Sequence, residues 1–226
     1  MNTLVERMSA IILALVLVGP VKVRGRDNLP PVISPNGKGV IFIANHSSTI
    51  DSSVTYYLFR TFKWVAKRSI LYMPGVGATM WMGGHVLLDR KSKDSKNQMY
   101  QESHILLSKG QNLFVFPQGT RKLAEWLPFR DGAFKLALEG GYTLVPVSIE
   151  LPRAHWNSGY PLNLLWGVRN RPVIVTVHPV IPVEQVEERM EMEEKKEILK
   201  QQCEDIILSA LPHFRKIIES SSSSSS

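Results

Sequence analysis

The amino-acid sequence predicts an α/β fold: a mostly parallel or mixed sheet flanked by helices, with an N-terminal hydrophobic membrane-associating segment. Three observations lead there. Short apolar, β-branched or aromatic runs bounded by turn residues alternate along the chain with longer helical stretches, the pattern of a sheet covered on both faces. With 226 residues, 44% apolar and 21% charged, the chain can bury a sizeable core and is neither collagenous nor wholly disordered. Cys203 is the single cysteine, which excludes intramolecular disulfides, cysteine-rich zinc sites and a thioredoxin-type pair.

The organisation implied is a hydrophobic segment over residues 1–23, a central domain over 24–183, an amphipathic helical region over 184–219 and a serine tail over 220–226. Strands are expected at Gly39 to Ala44, Lys63 to Ala66, His85 to Leu88, Asn112 to Phe116, Thr143 to Ile149 and Val173 to His178. Helices are expected from about Asp51 to Phe62, from Lys93 to Lys109 before Gly110, and from Asp131 to Glu139 before Gly140 and Gly141. Glycine tolerates the left-handed conformation that stops a helix. Pro146 inside a strand run points to an edge or a bulge, because proline cannot donate to a ladder. In the C-terminal region Leu199, Cys203, Ile206, Ile207 and Ala210 recur at helical spacing, the pattern of a docking helix. Seven serines from Ser220 to Ser226 offer nothing to bury.

The apolar run Ala10 to Val18 is closed by Gly19 and Pro20, about half of the roughly 20 residues that cross a bilayer. An amphiphilic or half-inserted helix is therefore expected. A second stretch, Ser69 to Leu88, carries no Asp, Glu, Lys or Arg, but Pro74, Gly75, Gly77, Gly83 and Gly84 interrupt it. It reads as a surface segment dipping into lipid, or as the wall of an acyl-chain pocket, rather than a spanning helix. Charge is uneven within the net +7: residues 1–183 hold 21 Lys/Arg against 10 Asp/Glu, and the remainder 6 against 10. A basic central domain suits phosphate-bearing partners.

Three polar constellations follow strand ends. The first is Asn45-His-Ser-Ser-Thr-Ile-Asp51, where His46 and Asp51 are five apart. That spacing does not place them on one face of a regular helix, so they meet only if the chain turns before the helix begins. Ser47, Ser48, Thr49 and Asp51 all favour helix starts, which makes such a turn plausible. A carboxylate bonded to one imidazole nitrogen fixes the tautomer and leaves the other as a general base. The second is Gly84-His-Val-Leu-Leu-Asp89-Arg90, and the third Phe116-Pro-Gln118-Gly119-Thr120-Arg121, with a glycine for close approach, a hydroxyl and a fork-shaped cation suited to phosphate. The remaining histidines have no metal-ligand spacing, and no metal is expected.

These blocks, together with Val145-Pro146-Val147 and the link Phe129-Arg-Asp-Gly-Ala-Phe-Lys135, resemble the glycerolipid acyltransferase superfamily, in particular lysophosphatidic acid acyltransferases. Four blocks in order over roughly residues 24–182 carry the resemblance. It implies an enzyme in which His46 removes the proton from an acceptor hydroxyl while Asp51 orients the imidazole. It also implies that Arg90, Gln118, Gly119, Thr120 and Arg121 bind substrate. The acceptor would be the sn-2 hydroxyl of lysophosphatidic acid, and the donor an acyl thioester of coenzyme A or acyl carrier protein. No cofactor is implied, and the expected partners are these substrates and a membrane surface, with no nucleic acid. One position departs: the family's third block usually carries glutamate where this chain has Gln118, so a weakened, lipid-binding homologue is the alternative, alongside an acyltransferase acting on another lysophospholipid or on glycerol-3-phosphate. A serine hydrolase built on Ser47 or Ser48 lacks the Gly-x-Ser-x-Gly elbow, and the scattered basic residues match no nucleic-acid module.

Overall fold

A computed structural model of the chain describes residues 2–31, 36–48, 50–72, 80–89, 93–122, 125–152, 172–185 and 190–214. Among the described residues seven strands form one sheet: β1 Val21–Arg24, β2 Ile41–Ala44, β3 Lys63–Lys67, β4 Val86–Leu88, β5 Leu113–Val115, β6 Leu144–Glu150 and β7 Val173–Val177. Their order across the sheet is β1-β7-β6-β2-β5-β3-β4. Only the β6/β7 pair is antiparallel; the other neighbours run parallel, in line with the mostly parallel or mixed sheet expected.

Parallel strands must be buried on both faces, and the helices provide the cover. On one face Phe42, Ala44, Trp64, Phe114, Val145 and Val147 pack in a single cluster with Ala14 and Val18 of α1 (Asn2–Val18) and Val54 of α2 (Asp51–Val54). On the other, Ile41, Ile43, Leu113 and Leu144 pack with Leu107 of α3 (Lys93–Ser108) and with Phe134 and Ala137 of α4 (Gly132–Gly140). Leu199, Cys203 and Ile207 of α5 (Met192–Ser209) complete that layer, as their helical spacing predicts. Gly141, at φ 62°, closes α4 in the left-handed conformation.

Two differences from the sequence reading have physical causes. The helix expected over Asp51 to Phe62 is a single α turn to Val54, continued as a 3-10 turn over Thr55–Leu58. Val54 and Thr55 are β-branched, and Phe59 adopts a left-handed φ of 53° that ends it. β1 is an additional edge strand, alternating half-buried Val21 and Val23 with exposed Lys22 and Arg24 rather than forming a continuous apolar run. Pro146 lies in an interior strand, paired with Ile43 of β2. Its missing N–H faces a bulge: between the Leu144–Ile181 bridge and the Val147–Val177 pair, the β7 side carries one residue more than β6.

The N-terminal apolar run lies within α1, which buries Ala14 and Val18 while Leu4, Val5, Met8, Ile12, Leu13, Leu15 and Val16 remain exposed. No helix among the described residues is long and apolar enough to cross a membrane. The serine tail lies outside the described residues.

Candidate active site

The sheet order creates a switch point beside β2. The chain leaves β2 through α2 on one face to reach β3, and leaves β5 through α4 on the other face to reach β6. Open α/β sheets offer a crevice at the carboxyl ends of such adjacent strands. Here β2 delivers Asn45 to Asp51 into it and β5 delivers Phe116 to Arg121.

The turn that the five-residue spacing required is present. Asp51, fully buried at the start of α2, accepts three hydrogen bonds at a single oxygen, Oδ2: from Ser47 N–H and Ser48 N–H at 2.7 Å each, and from His46 Nδ1 at 2.9 Å. The other oxygen, Oδ1, has no partner among the described residues. A carboxylate oxygen can only accept, so Nδ1 carries the proton and Nε2 keeps its lone pair. Hydrogen bonds to a charged group contribute about 1.5–3 kcal/mol each, which is why one buried oxygen can set the whole turn.

The imidazole is fixed in its plane as well. It stacks on Phe116, with ring centroids 4.0 Å apart and planes within 7°. Phe116 in turn packs against Trp64 and Phe114. The His46 side chain is 16% exposed, so it is open to a reactant yet cannot swing freely.

The main chain of His46 is held at both ends of the residue, by the third block and by Lys122 just after it. Its N–H donates to Gln118 Oε1 at 2.6 Å, and its carbonyl accepts from Lys122 N–H at 3.3 Å. Asn45 anchors the same loop from the other side, bonding both the N–H and the carbonyl of Ile149 on β6 at 2.8 and 3.0 Å. Two side-chain amides and one carboxylate thus build this corner.

A family model described as Acyltransferase matches residues 20–150, which contain all of these groups. This chain belongs to the acyltransferase family. Proteins named 1-acyl-sn-glycerol-3-phosphate acyltransferase are similar to it. That of Chlamydomonas reinhardtii is 33% identical over 72% of this chain and 47% of its own length. That of Saccharomyces cerevisiae is 34% identical over 73% and 52%, and the human alpha form is 32% identical over 56% and 44%. The chain spans about half the length of the curated relatives it matches. Among solved structures, the 1-acyl-sn-glycerophosphate acyltransferase PlsC of Thermotoga maritima shares the fold. Its TM-score is 0.60 at 23% identity, covering 89% of this chain and 78% of that one.

Not every acyltransferase residue expected at the site reaches it in the same way. Gln118 is buried, and its amide is used by main-chain groups: Oε1 by His46 and Nε2 by the carbonyl of Leu127 at 3.0 Å. Gly119 sits at φ 72°, a conformation that favours glycine, and a Cβ there would stand 3.0 Å from the Arg130 guanidinium. Thr120 and Arg121 are exposed on the same turn. Arg90 lies outside the described residues; its neighbour Asp89 is exposed after β4, with its N–H donated to Ser95 Oγ at 2.8 Å. No group of three or more His, Cys, Asp or Glu that could hold a metal occurs among the described residues.

Sequence reading missed several residues here. Arg130 places its guanidinium against Gly119 and its N–H on the Pro117 carbonyl at 3.0 Å. Its only sequence signal was its position in the Phe129 to Lys135 link. Asn45, Phe116 and Trp64 read as part of a motif or a strand, and nothing in the spacing reveals that they brace a histidine. His85 had no role to assign, yet it is buried and bonded through Nδ1 to the Trp64 N–H at 2.9 Å and through Nε2 to Glu6 of α1 at 2.7 Å.

Proposed function

We propose that this protein transfers a fatty acyl group from an acyl thioester to the sn-2 hydroxyl of lysophosphatidic acid, giving phosphatidic acid. The observation that carries this reading is the His46–Asp51 pair, with Nδ1 held as a donor and Nε2 left as a base at an open strand end. His46 Nε2 takes the proton as the hydroxyl oxygen attacks the thioester carbonyl. The carbon–oxygen bond forms, the carbon–sulfur bond breaks, and the proton passes from the imidazolium to the departing thiolate. The alcohol is the nucleophile, so no acyl-enzyme is required.

An oxyanion develops on the carbonyl and calls for a donor. Gly119 N–H and Lys122 N–H are already bonded to Phe116 and His46 carbonyls, whereas Thr120 N–H has no bond among the described residues and belongs to the same turn. The acceptor's phosphate falls to Arg90, Thr120 and Arg121, and to Arg130 beside Gly119. Guanidinium groups match phosphate geometry in two-point contacts. The similarity to proteins named for 1-acyl-sn-glycerol-3-phosphate supports this acceptor, and the donor is an acyl thioester of coenzyme A or acyl carrier protein.

The reaction's substrates are lipids, and we place the protein on a membrane surface. The exposed apolar face of α1 supports this, along with Phe59, Tyr72, Trp81 and Met82, of which Tyr72 is 87% and Trp81 73% exposed. Large exposed apolar patches mark membrane or partner interfaces.

The test is an acyl-transfer assay offering lysophosphatidic acid, glycerol-3-phosphate and lysophosphatidylcholine side by side, with each donor. Transfer to lysophosphatidic acid is expected, with His46→Ala reduced to background while still binding vesicles. Preference for lysophosphatidylcholine overturns the acceptor, and appreciable transfer by His46→Ala overturns the mechanism.

A further inference from the structure

We infer that Gln118 is a positioning residue for His46, acting as a neutral two-sided strut rather than as a contact to substrate; this rests on the acyltransferase reading above. The side chain is 4% exposed, and both ends of its amide are committed. Oε1 accepts from His46 N–H at 2.6 Å, and Nε2 donates to the Leu127 carbonyl at 3.0 Å. The partners themselves fix which end is which, because a backbone N–H can only donate and a carbonyl can only accept.

The strut matters because of what stands behind it. The segment carrying Leu127 is itself secured: Arg130 N–H bonds the Pro117 carbonyl at 3.0 Å, and Glu204 of α5 takes the Phe129 N–H. Gln118 therefore connects the histidine loop after β2 to a loop braced by the C-terminal helix. The Lys122 N–H on the His46 carbonyl completes a two-point clamp on that residue's main chain. The imidazole's reach is set by this backbone together with Asp51 and Phe116. Displacements of about 1 Å at such a base can cost about 100-fold in rate.

The two partners met in this structure, one N–H and one carbonyl, suit an amide. A carboxylate of the same shape could accept from His46 but would face the Leu127 carbonyl with an oxygen, two acceptors in a buried place. Protonated, it would regain the missing donor. Gln118→Glu is thus a pH-dependent lesion, whereas Gln118→Leu removes both bonds at every pH.

The experiment measures kcat and KM for lysophosphatidic acid from about pH 5.5 to 8.5 in wild type, Gln118→Glu and Gln118→Leu. At neutral pH Gln118→Glu is expected to lose about 10- to 100-fold in kcat with KM changed less than about 3-fold. Its activity relative to wild type should climb as pH falls, while the Gln118→Leu ratio stays flat. Equal or higher kcat in Gln118→Glu with a flat ratio, or a loss confined to KM, overturns the inference in favour of a substrate contact. Hydrogen exchange on the wild-type protein gives a second readout that needs no variant to fold and no substrate: the His46 amide should exchange slowly, and fast exchange refutes the strut. If wild type transfers nothing to lysophosphatidic acid while this amide is protected, the substrate reading fails and the strut stands.

Discussion

At the scale of single residues, the site concentrates its electrostatics in one oxygen atom. Asp51 Oδ2 meets the imidazole and two main-chain N–H groups, and Oδ1 has no partner among the described residues. This arrangement separates charge from geometry. An asparagine whose amide oxygen replaces Oδ2 can still accept all three bonds, so Asp51→Asn keeps the turn and the Nδ1–H tautomer while removing the negative charge beside the imidazolium of the proposed proton transfer. The expected result is a fall in kcat of about 100- to 10,000-fold with little change in acceptor KM. Steady-state kinetics checks the rate, and the thermal midpoint checks the fold. Asp51→Ala releases all three donors and is expected to lower the midpoint as well. An Asp51→Asn enzyme that retained near wild-type kcat would reduce the carboxylate to a scaffold.

At the scale of elements, α1 is attached by more than its apolar stripe. Glu6 accepts from His85 Nε2 and from the Tyr56 hydroxyl, and that hydroxyl in turn accepts from the Trp64 indole N–H at 3.0 Å. Because Nδ1 of His85 accepts from the Trp64 N–H, Nε2 must be the protonated nitrogen. Burial raises the pKa of Glu6, but the hydrogen bonds from His85 and Tyr56 and the nearby Lys63 outweigh it, so its carboxyl lies below the ordinary range. A carboxylate whose folded pKa is depressed gives stability that is present above its unfolded value of about 4.5 and is lost as pH falls through the folded value. Protection of α1 amides, taken relative to intrinsic exchange at each pH, is therefore expected to be high at neutral pH and to fall below about pH 4.5, ahead of α5. His85→Ala should lower that protection already at neutral pH, by leaving a half-buried carboxylate short of a donor. None of this was readable from spacing, since Glu6 and His85 are 79 residues apart and each looks like an isolated polar residue. What was readable were features with local causes: six of the seven strands as apolar runs, the glycine-stopped α3 and α4, the apolar stripe of α5, and the strand-end motifs. β1 is not legible because an edge strand alternates with charge, and the second helix reads too long because a periodic stretch cannot announce the left-handed Phe59 that ends it. At the site the pairing of His46 with Asp51 was legible, whereas the use of Gln118 on main-chain groups depends on Leu127 arriving from another loop.

At the scale of the whole molecule, two surface properties act together. The chain carries a formal +7, concentrated before Val183, and α1 presents a row of exposed aliphatic side chains. Phe59 lies beside that helix under Arg7 and Arg26, whose guanidinium carbons stand 6.0 and 5.6 Å from its ring centre. The Glu6–His85 contact brings the helix next to the turn that carries Trp81 and Met82. On the proposed membrane reading, charge would draw the protein to an anionic lipid surface and apolar burial would hold it there, at about 25 cal/mol per Å² removed from water. The two contributions respond differently to salt, since screening acts on charge over about 10 Å at 0.1 M and leaves apolar burial intact. Flotation with anionic and with zwitterionic vesicles should therefore show tighter binding to the anionic set at low salt, with the difference shrinking at 0.5 M while a common residual remains. Replacing Leu13 and Val16 by serine, both exposed and away from the Glu6 anchor, should remove much of that residual without altering the salt-sensitive part. Loss of all binding at 0.5 M salt by the wild type would mean that charge alone holds the protein at the membrane and that the exposed face of α1 serves another contact.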